Sequence, residues 1–344
     1  MSIIVPACRA DTNFERVLDG VDTLDPAPGA VVLADDGSPG AAVSAAAEAR
    51  GWRAVRVGDT PAGPAAARNA AAATLAVDAG HWLFFVDADV VPHPDAVAAL
   101  RRSIASPAAP AAVLGSYDAR PPARNPASRY ANLRHHHVHH VNAGRATTFW
   151  AGLGAVRSDV FAEVGGFDAR RYPRPSIEDI ELGMRIHAAG HVLIIDPRVL
   201  GTHLKRWTVK SLWRTEIRDR AWAWSRLIHA TPPSDRPLNL RDNAALKAAV
   251  AGVVVACAAV LAATFGFALF VPGLLPLVLI AAMALTVNAG LLLHLERRLF
   301  VTLSRHTPRW QWPLLFALHA LHLTYSAATY AVAALVPRSR GAGR

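Results

Sequence analysis

Residues 82–89 read Trp-Leu-Phe-Phe-Val-Asp-Ala-Asp, five apolar residues followed by two acids that are one residue apart. A short run that is continuously apolar is typical of a strand buried on both faces of a sheet. Similar runs precede it, and stretches of helical character lie between them. The predicted strands are 3–6, 30–34, 52–57 and 82–86, and the predicted helices are 12–24, 41–50 and 65–79. This order predicts an α/β fold with a mostly parallel sheet and helices on both of its faces.

Acids follow two of these strands, where ligands of parallel sheets bind. Asp87 and Asp89 could hold Mg²⁺ or Mn²⁺ against a diphosphate, because hard oxygen ligands suit these ions. The alternative is a solvated strand end before Pro92. Asp36, within Asp35–Ser38, could accept hydrogen bonds from a nucleotide base or ribose. The alternative there is an ordinary Asp-Gly turn.

Three acids crowd the start of a predicted helix in Ser176-Ile177-Glu178-Asp179-Ile180-Glu181. Ser176 is expected to be the N-cap of this helix, with the acids in its first turn. The two isoleucines favour a second role for the acids. A carboxylate among apolar neighbours can be held ready as a general base.

A basic stretch opens with His203-Leu204-Lys205-Arg206-Trp207. His203 could complete a metal site near the acids, and Arg206 could neutralise a departing diphosphate. The same stretch has the pattern of an amphipathic helix at a membrane interface. We expect both interpretations to hold together.

Five histidines lie within residues 135–140. His136 and His140 would share one face of a helix. No Glu stands between them as it does in a His-Glu-x-x-His zinc motif. An exposed helix face or a phosphate-contacting surface is therefore favoured over a metal site.

The composition of the chain separates two parts. The 344 residues are 52% hydrophobic and 18% charged, with a net charge of +10. Residues 1–202 carry 19 Lys and Arg against 21 Asp and Glu, residues 203–240 carry 8 against 3, and residues 241–344 carry 9 against 2. The basic excess lies beside and within the apolar part. This favours an anionic membrane as partner and argues against nucleic acid.

Composition also excludes some classes of protein. The apolar content excludes an intrinsically disordered chain. Two cysteines, Cys8 and Cys257, exclude a disulfide framework and a four-cysteine zinc site.

The C-terminal part, residues 241–337, is expected to lie in a membrane. Its apolar spans cover about 246–271, 273–295 and 313–336, and about 20 apolar residues suffice to cross a bilayer. Residues 1–5 lack the pattern of a signal peptide. We therefore expect a multi-pass protein of the inner (plasma) membrane whose first domain is cytoplasmic.

The third span leaves two possibilities open. The positive-inside rule places Arg241, Lys247 and residues 297–309 on the cytoplasmic side. A third crossing would then place Arg338, Arg340 and Arg344 outside, against that rule. The last span either crosses the membrane nonetheless, or it is re-entrant or lies in the interface.

The order of the motifs is more informative than any single one. The series consists of Ser2–Pro6, Asp35–Ser38, Gly63–Asn69, Asp87–Asp89, Gly152–Arg157, Val164–Asp168, Glu178–Asp179 and His203–Trp207. It resembles family 2 glycosyltransferases of the GT-A fold over residues 1–225. The resemblance implies a catalytic domain at 1–225, a basic interfacial segment at 203–240 and a transmembrane region at 241–337.

The resemblance also implies roles for single residues. The residues expected at the nucleotide sugar are Pro6, Asp36, Arg68 and Asp87. Asp89, with Asp87 and His203, would hold Mg²⁺ or Mn²⁺. Asp179 would be the catalytic base of an inverting, single-displacement transfer. The residues expected at the acceptor or the diphosphate are Glu178, Arg206 and Trp207.

The membrane part resembles that of family members which glycosylate lipids such as polyprenyl phosphates. The leading hypothesis is a hexosyltransferase that moves a sugar from a nucleotide diphosphate sugar to a lipid at the cytoplasmic leaflet. One alternative is a processive polysaccharide synthase, because His203–Trp207 also resembles Gln-x-x-Arg-Trp with His in place of Gln. Another is a non-catalytic, membrane-tethered nucleotide-binding scaffold, which would not need both acidic sites.

Overall fold

The computed structural model describes residues 1–75, 80–232, 236, 244–268 and 271–336. The chain forms two compact units. The first contains Met1–Arg124 and Ala131–Trp207. The second contains Asn125–Tyr130, Thr208–Pro232 and the described residues from 244 onwards.

Nine strands of the described residues form one mixed sheet in the first unit. They are β1 Ser2–Ala7, β2 Ala30–Asp36, β3 Arg53–Gly58, β4 Trp82–Val86, β5 Val90–Pro92, β6 Ala112–Tyr117, β7 Gly144–Ala146, β8 Leu153–Arg157 and β9 Leu193–His203. Their order is β3-β2-β1-β4-β8-β6-β9-β5, and β7 pairs with β9. Strands β3, β2, β1 and β4 run parallel, as do β6 and β9, whereas β8 is antiparallel to both of its neighbours.

Seven helices accompany this sheet among the described residues. They are α1 Thr12–Asp22, α2 Ala42–Glu48, α3 Pro64–Ala73, α4 Ala96–Ile104, α5 Pro126–Val141, α6 Ser158–Glu163 and α7 Glu178–Ala188. The first five residues of α5 belong to the second unit. The predicted strand at 82–86 matches β4 at both ends. Part of the predicted helix 65–79 lies outside the described residues, at 76–79.

Both faces of the sheet are buried, which confirms the predicted α/β fold. Side chains alternate between the two faces of a strand, so Ile3 and Phe84 enter one apolar core while Ile4 and Phe85 enter the other. This explains why the strands read as continuous apolar runs rather than as alternating ones.

The helix α7 packs very closely on the loop before β8. A β-carbon at Gly183 would overlap the backbone of Thr148 and Phe149. Glycine at this position therefore lets the start of α7 approach residues 149–151, where the candidate base lies.

The described part of the second unit is helical. It comprises α8 Val209–Arg214, a π-helical segment Thr215–Ala221, α9 Trp222–Ala230, α10 Ala244–Ala268, α11 Leu275–Leu295, α12 Arg297–His306 and α13 Trp312–Leu335. Within it, Ala244–Thr264 and Leu275–Leu295 are long and apolar enough to cross a membrane. The predicted positions Arg241, Arg338, Arg340 and Arg344 lie outside the described residues.

The third predicted span, 313–336, forms α13, but it differs from the first two spans. Among the described residues, only the two helices named above are long and apolar enough to cross a membrane, and α13 is not one of them. Its histidines contact polar groups of the same unit: His319 Nδ1 lies 3.1 Å from the Tyr130 hydroxyl, and His322 Nδ1 lies 3.7 Å from Glu216. Whether this last span crosses the membrane, is re-entrant or lies in the interface therefore stays a prediction, and its polar side chains have partners within the protein.

The close approach at Gly183 leads to a prediction. Gly183→Ala is expected to destabilise the first unit by about 1–3 kcal/mol, since overpacking forces the backbone to move. The measurement is the midpoint of thermal or urea unfolding. Gly58→Ala is the control, because a β-carbon there would meet its nearest atom at 3.8 Å. Equal effects of the two substitutions would contradict the packing argument.

Candidate active site

Asp89 and His203 come together at one edge of the sheet. Strand β5 pairs with the end of β9 so that Val90 lies opposite His203, and the Leu204 amide donates to the Asp89 carbonyl oxygen at 2.8 Å. As a result, His203 Nε2 lies 3.7 Å from a carboxylate oxygen of Asp89. Two residues that are far apart in sequence thus form one pair of potential metal ligands.

Arg68 is buried between two acids. Its guanidinium donates to Asp87 at 2.6 Å and to Glu178 at 3.0 Å, and it lies over the Phe167 ring at 5.2 Å. Arg68 is 4% exposed. The nucleotide contact predicted for Arg68 stays a prediction, and the structure gives this side chain two carboxylate partners.

Asp87 lies between charges of both signs. Loss of water around the carboxyl raises the pKa of Asp87, and Arg68 opposes that rise. Its neighbour Asp89 raises the pKa further. The two acids of this strand end thus have different partners. Asp87 is paired with Arg68, and Asp89 lies near His203.

Asp36 fixes the loop before α3. Its two carboxylate oxygens accept hydrogen bonds from the amides of Ala62 and Gly63, at 2.7 and 2.9 Å. Gly63 has a φ of +97°, and a β-carbon there would lie 2.6 Å from the carbonyl oxygen of Pro173. Pro6, the other residue predicted at the nucleotide, lies in β1 opposite Ala34. Contact of Asp36 and Pro6 with a nucleotide stays a prediction.

Asp179, in the first turn of α7, is the candidate base. One carboxylate oxygen accepts the Ala151 amide at 3.1 Å and the other accepts the Ile180 amide at 2.8 Å. Burial and the adjacent Glu178 raise the pKa of Asp179 to about 7, although Arg68 opposes this. A carboxyl that titrates near neutrality can both take and return a proton at the pH of a cell.

The predicted cap of α7 is wrong. The helix begins at Glu178, and the N-cap position is Ile177, which makes no side-chain cap. The Glu178 carboxylate instead accepts the Ser176 amide at 2.9 Å while its other oxygen meets Arg68. The Glu178 carboxylate thus connects the start of α7 to both Ser176 and Arg68.

Two further predicted residues, Arg206 and Trp207, lie where the Ala131–Trp207 part of the first unit ends. Trp207 is buried, and Lys205 Nζ lies 4.2 Å from the centre of its ring. Arg206 is exposed. Roles of Arg206, Trp207 and Glu178 at the acceptor or diphosphate stay predictions.

The donor set suits a metal that shares its shell with a substrate. Among the described residues, no group of three or more His, Cys, Asp or Glu could hold a metal ion by itself. Asp89 and His203 supply one oxygen and one nitrogen. Mg²⁺ and similar ions are often bound by one or two protein ligands together with substrate phosphates, so the pair fits a metal–diphosphate complex.

Comparisons with known proteins decide the family. The model of glycosyl transferase family 2 matches residues 2–165. Residues 2–165 are a family 2 glycosyltransferase domain. The protein is therefore a glycosyltransferase, as predicted from the order of its motifs. None of the curated proteins matches the sequence.

Solved structures agree with the fold of this glycosyltransferase. A mannosyltransferase from Pyrobaculum calidifontis, in complex with GDP-Man and Mn²⁺, is similar over 97% of this chain and 85% of its own, with a TM-score of 0.51 and 19% identity. At this identity the likeness shows the fold alone, which is the predicted GT-A fold.

Two further solved structures are similar with lower TM-scores. S. aureus TarS 1-349 is similar over 98% of this chain and 92% of its own, with a TM-score of 0.47 and 13% identity. Glucosyl-3-phosphoglycerate synthase from Mycobacterium tuberculosis, in complex with Mn²⁺, UDP and glucosyl-3-phosphoglycerate, is similar over 68% of this chain and 81% of its own, with a TM-score of 0.46 and 17% identity.

The histidine run of the glycosyltransferase is on α5, as the helical spacing predicts. His136 Nδ1 contacts the Tyr117 carbonyl at 2.8 Å, and His139 Nδ1 contacts the Gly115 carbonyl at 2.7 Å. A carbonyl oxygen only accepts, so both Nδ1 atoms carry the proton. Burial lowers the pKa of His139 to about 4, so this side chain is neutral at physiological pH. The prediction of an exposed face is wrong for His139, which is buried.

Sequence reasoning missed three parts of this site. The Ala151 amide contacts Asp179 through its backbone, so its residue type gives no signal. Tyr117 and Trp150 lie beside the histidine run, with ring centres 4.8 Å apart. Their aromatic character was visible in the sequence, but their neighbours depend on the pairing of β6 with β8 and β9.

The first prediction from this site concerns Arg68. Arg68→Met is expected to destabilise the domain by about 3–5 kcal/mol, because it leaves two carboxylates without their buried counter-charge. Chemical unfolding measures this loss. Adding Asp87→Asn and Glu178→Gln should restore part of it, and no recovery in the triple variant would contradict the ion-pair explanation.

The second prediction concerns the pH dependence of Asp179. Because its pKa is raised from 3.8 to about 7 in the folded protein, ionisation between these values destabilises the fold relative to the unfolded chain. Asp179→Asn does not titrate, so its melting temperature should rise relative to wild type from pH 4 to pH 7 and then level off. Asp95→Asn, at an exposed acid of the same unit, is the control substitution. A difference independent of pH would show that Asp179 titrates normally.

Proposed function

We propose that this glycosyltransferase moves a hexose from a nucleoside diphosphate sugar to a membrane lipid, with inversion at the sugar carbon and with Mg²⁺ or Mn²⁺. The observation that carries this proposal is the arrangement of Asp179, with a pKa of about 7, in the same unit as the Asp89–His203 pair. Asp179 would transfer a proton at neutral pH, and the Asp89–His203 pair suits a metal-bound diphosphate.

The donor would be held at the ends of β2 and β4. Asp36 and Pro6 would lie at the nucleoside, and Asp89 and His203 would hold the metal, which neutralises charge on the departing diphosphate. The Pyrobaculum calidifontis mannosyltransferase was solved with GDP-Man and Mn²⁺. That ligand set supports a nucleotide sugar and a divalent ion as the probes to try first.

Asp179 would act on the acceptor. For a hydroxyl acceptor, the carboxylate accepts the proton as the oxygen attacks the sugar, and inversion follows from a single displacement. For a phosphate acceptor, no proton needs to be removed at neutral pH, and Asp179 would position the acceptor instead. Arg206 and Trp207 would contact the diphosphate or the acceptor.

The lipid acceptor is proposed from the second unit and the charge distribution. Helices Ala244–Thr264 and Leu275–Leu295 could cross a bilayer, and residues 241–344 carry 9 basic residues against 2 acidic ones. Exposed Trp310 and Trp312 suit the membrane–water interface. These features support an enzyme on the inner face of the plasma membrane with domain boundaries near 225 and 240.

A processive polysaccharide synthase is the second candidate. The observation in its favour is the likeness of His203–Trp207 to Gln-x-x-Arg-Trp. His stands at the Gln position, and the described residues contain two candidate spans, so transfer of a single sugar is the better supported activity. The family match leaves the non-catalytic scaffold without support.

The test begins with the donor reaction. Purified protein in detergent, with Mn²⁺ or Mg²⁺, should hydrolyse or transfer from at least one UDP- or GDP-sugar. Asp179→Asn should lower kcat for a hydroxyl acceptor or water by about 10²–10⁴-fold, and Asp89→Asn should raise the metal concentration needed for activity. Asp95→Asn should behave as wild type. Full activity in both site variants would overturn the assignment.

The acceptor is tested separately by the product. Incubation with bacterial lipid extract should give a lipid that carries one added sugar, detected by mass spectrometry. A product that grows in length with time would instead support the processive synthase.

A further inference from the structure

The histidine run and the aromatic residues next to it have no role in the reaction so far. His135 packs against both Tyr117 and Trp150, with ring centres 4.3 and 4.4 Å apart. Tyr117 in turn packs against His203. A chain of rings therefore leads from α5 to one member of the proposed metal pair, entirely within the first unit.

The contact between Tyr117 and His203 is a parallel stack. The ring centres are 4.2 Å apart and the planes differ by 7°. A flat stack restricts rotation of the imidazole out of its plane. With that plane fixed, Nε2 of His203 is the ring nitrogen that lies 3.7 Å from Asp89.

Tyr117 is itself held from two sides. Its carbonyl accepts the hydrogen bond from His136, and the carbonyl of Gly115 accepts that from His139. On the other side, the Asp118 amide donates to the Gly201 carbonyl at 2.9 Å. The end of β6 is thus tied both to α5 and to the strand that carries His203.

We propose that Tyr117 is a positioning residue for His203 as a metal ligand, and that the histidines of α5 hold Tyr117 in place. This inference rests on the proposed metal role of Asp89 and His203. It gives the histidine run a function in which its Nδ1 atoms bind backbone carbonyls rather than a metal.

The arrangement also reaches the candidate base. Trp150 meets the Tyr117 ring edge to face, with planes at 87°, and the next residue is Ala151, whose amide contacts Asp179. The cluster formed by Tyr117, His135, His139 and Trp150 thus contacts His203 through Tyr117, and Trp150 is next in sequence to the residue that binds Asp179. A displacement of the Tyr117 ring would affect His203 more than Asp179, because Tyr117 contacts His203 directly.

The test measures metal coordination rather than turnover. Mn²⁺ is bound to the full-length protein in detergent, with GDP and with UDP in separate samples. Pulsed electron paramagnetic resonance detects a coordinated imidazole nitrogen, and titration of the free Mn²⁺ signal gives the affinity. Wild type should show the nitrogen signal and His203→Ala should lose it.

Substitutions at Tyr117 then test the stack. Tyr117→Phe keeps the ring and should keep the nitrogen signal. Tyr117→Leu should lose or weaken it and should lower Mn²⁺ affinity by about 10–100-fold, the usual cost of removing a group that orients a metal ligand. Phe14→Leu removes a buried aromatic ring from α1 and controls for general loss of packing.

His139→Phe provides a second and independent variant. It keeps an aromatic ring and removes the hydrogen bond to Gly115, so a smaller loss of affinity in the same direction is expected. This variant keeps the proposal testable if Tyr117→Leu fails to fold.

Two results would overturn the inference in different ways. An unchanged signal and affinity in Tyr117→Leu would show that His203 needs no positioning by the ring, and the proposed function would stand. Absence of any nitrogen signal in wild type, with Mn²⁺ and nucleotide bound, would show that His203 is no ligand and would also remove that part of the proposed function.

Discussion

The buried ion pairs of Arg68 join the parts of the candidate active site. One guanidinium meets the acid that ends β4 and the acid that begins α7. Removal of this cation would leave two carboxylates near each other and near Asp179, in a place with little water to screen them. The position of α7, the state of Asp87 and the proton affinity of Asp179 therefore all depend on one arginine.

The raised pKa of Asp179 is the result of opposed effects. Burial and Glu178 favour the protonated carboxyl, while Arg68 and the Ala151 amide favour the ionised one. Together, these opposed effects leave the Asp179 carboxyl able to gain or lose its proton near pH 7.

The sequence predicted the α/β fold and the strand at 82–86 because burial of both faces leaves a continuous apolar run. The order of the motifs along the chain also indicated the glycosyltransferase family. The sequence did not predict the contacts of Arg68, since nothing local joins residue 68 to residue 178. The cap at Ser176 was predicted from local preference, but the helix begins at Glu178, whose carboxylate contacts the distant Arg68. The polar partners of His319 and His322 in α13 depend on distant segments, so the sequence could not show them.

The pairing of β5 with β9 has a consequence for how the enzyme is made. Asp89 is synthesised early, whereas His203 is the last residue of the last strand in the sheet. Strand β9 lies between β6 and β5, so the nascent chain cannot bring Asp89 and His203 together until nearly the whole first unit has left the ribosome. Long-range pairings of this kind form slowly. The pair Asp89–His203 therefore forms only as β9 joins β5 and β6 and completes the sheet.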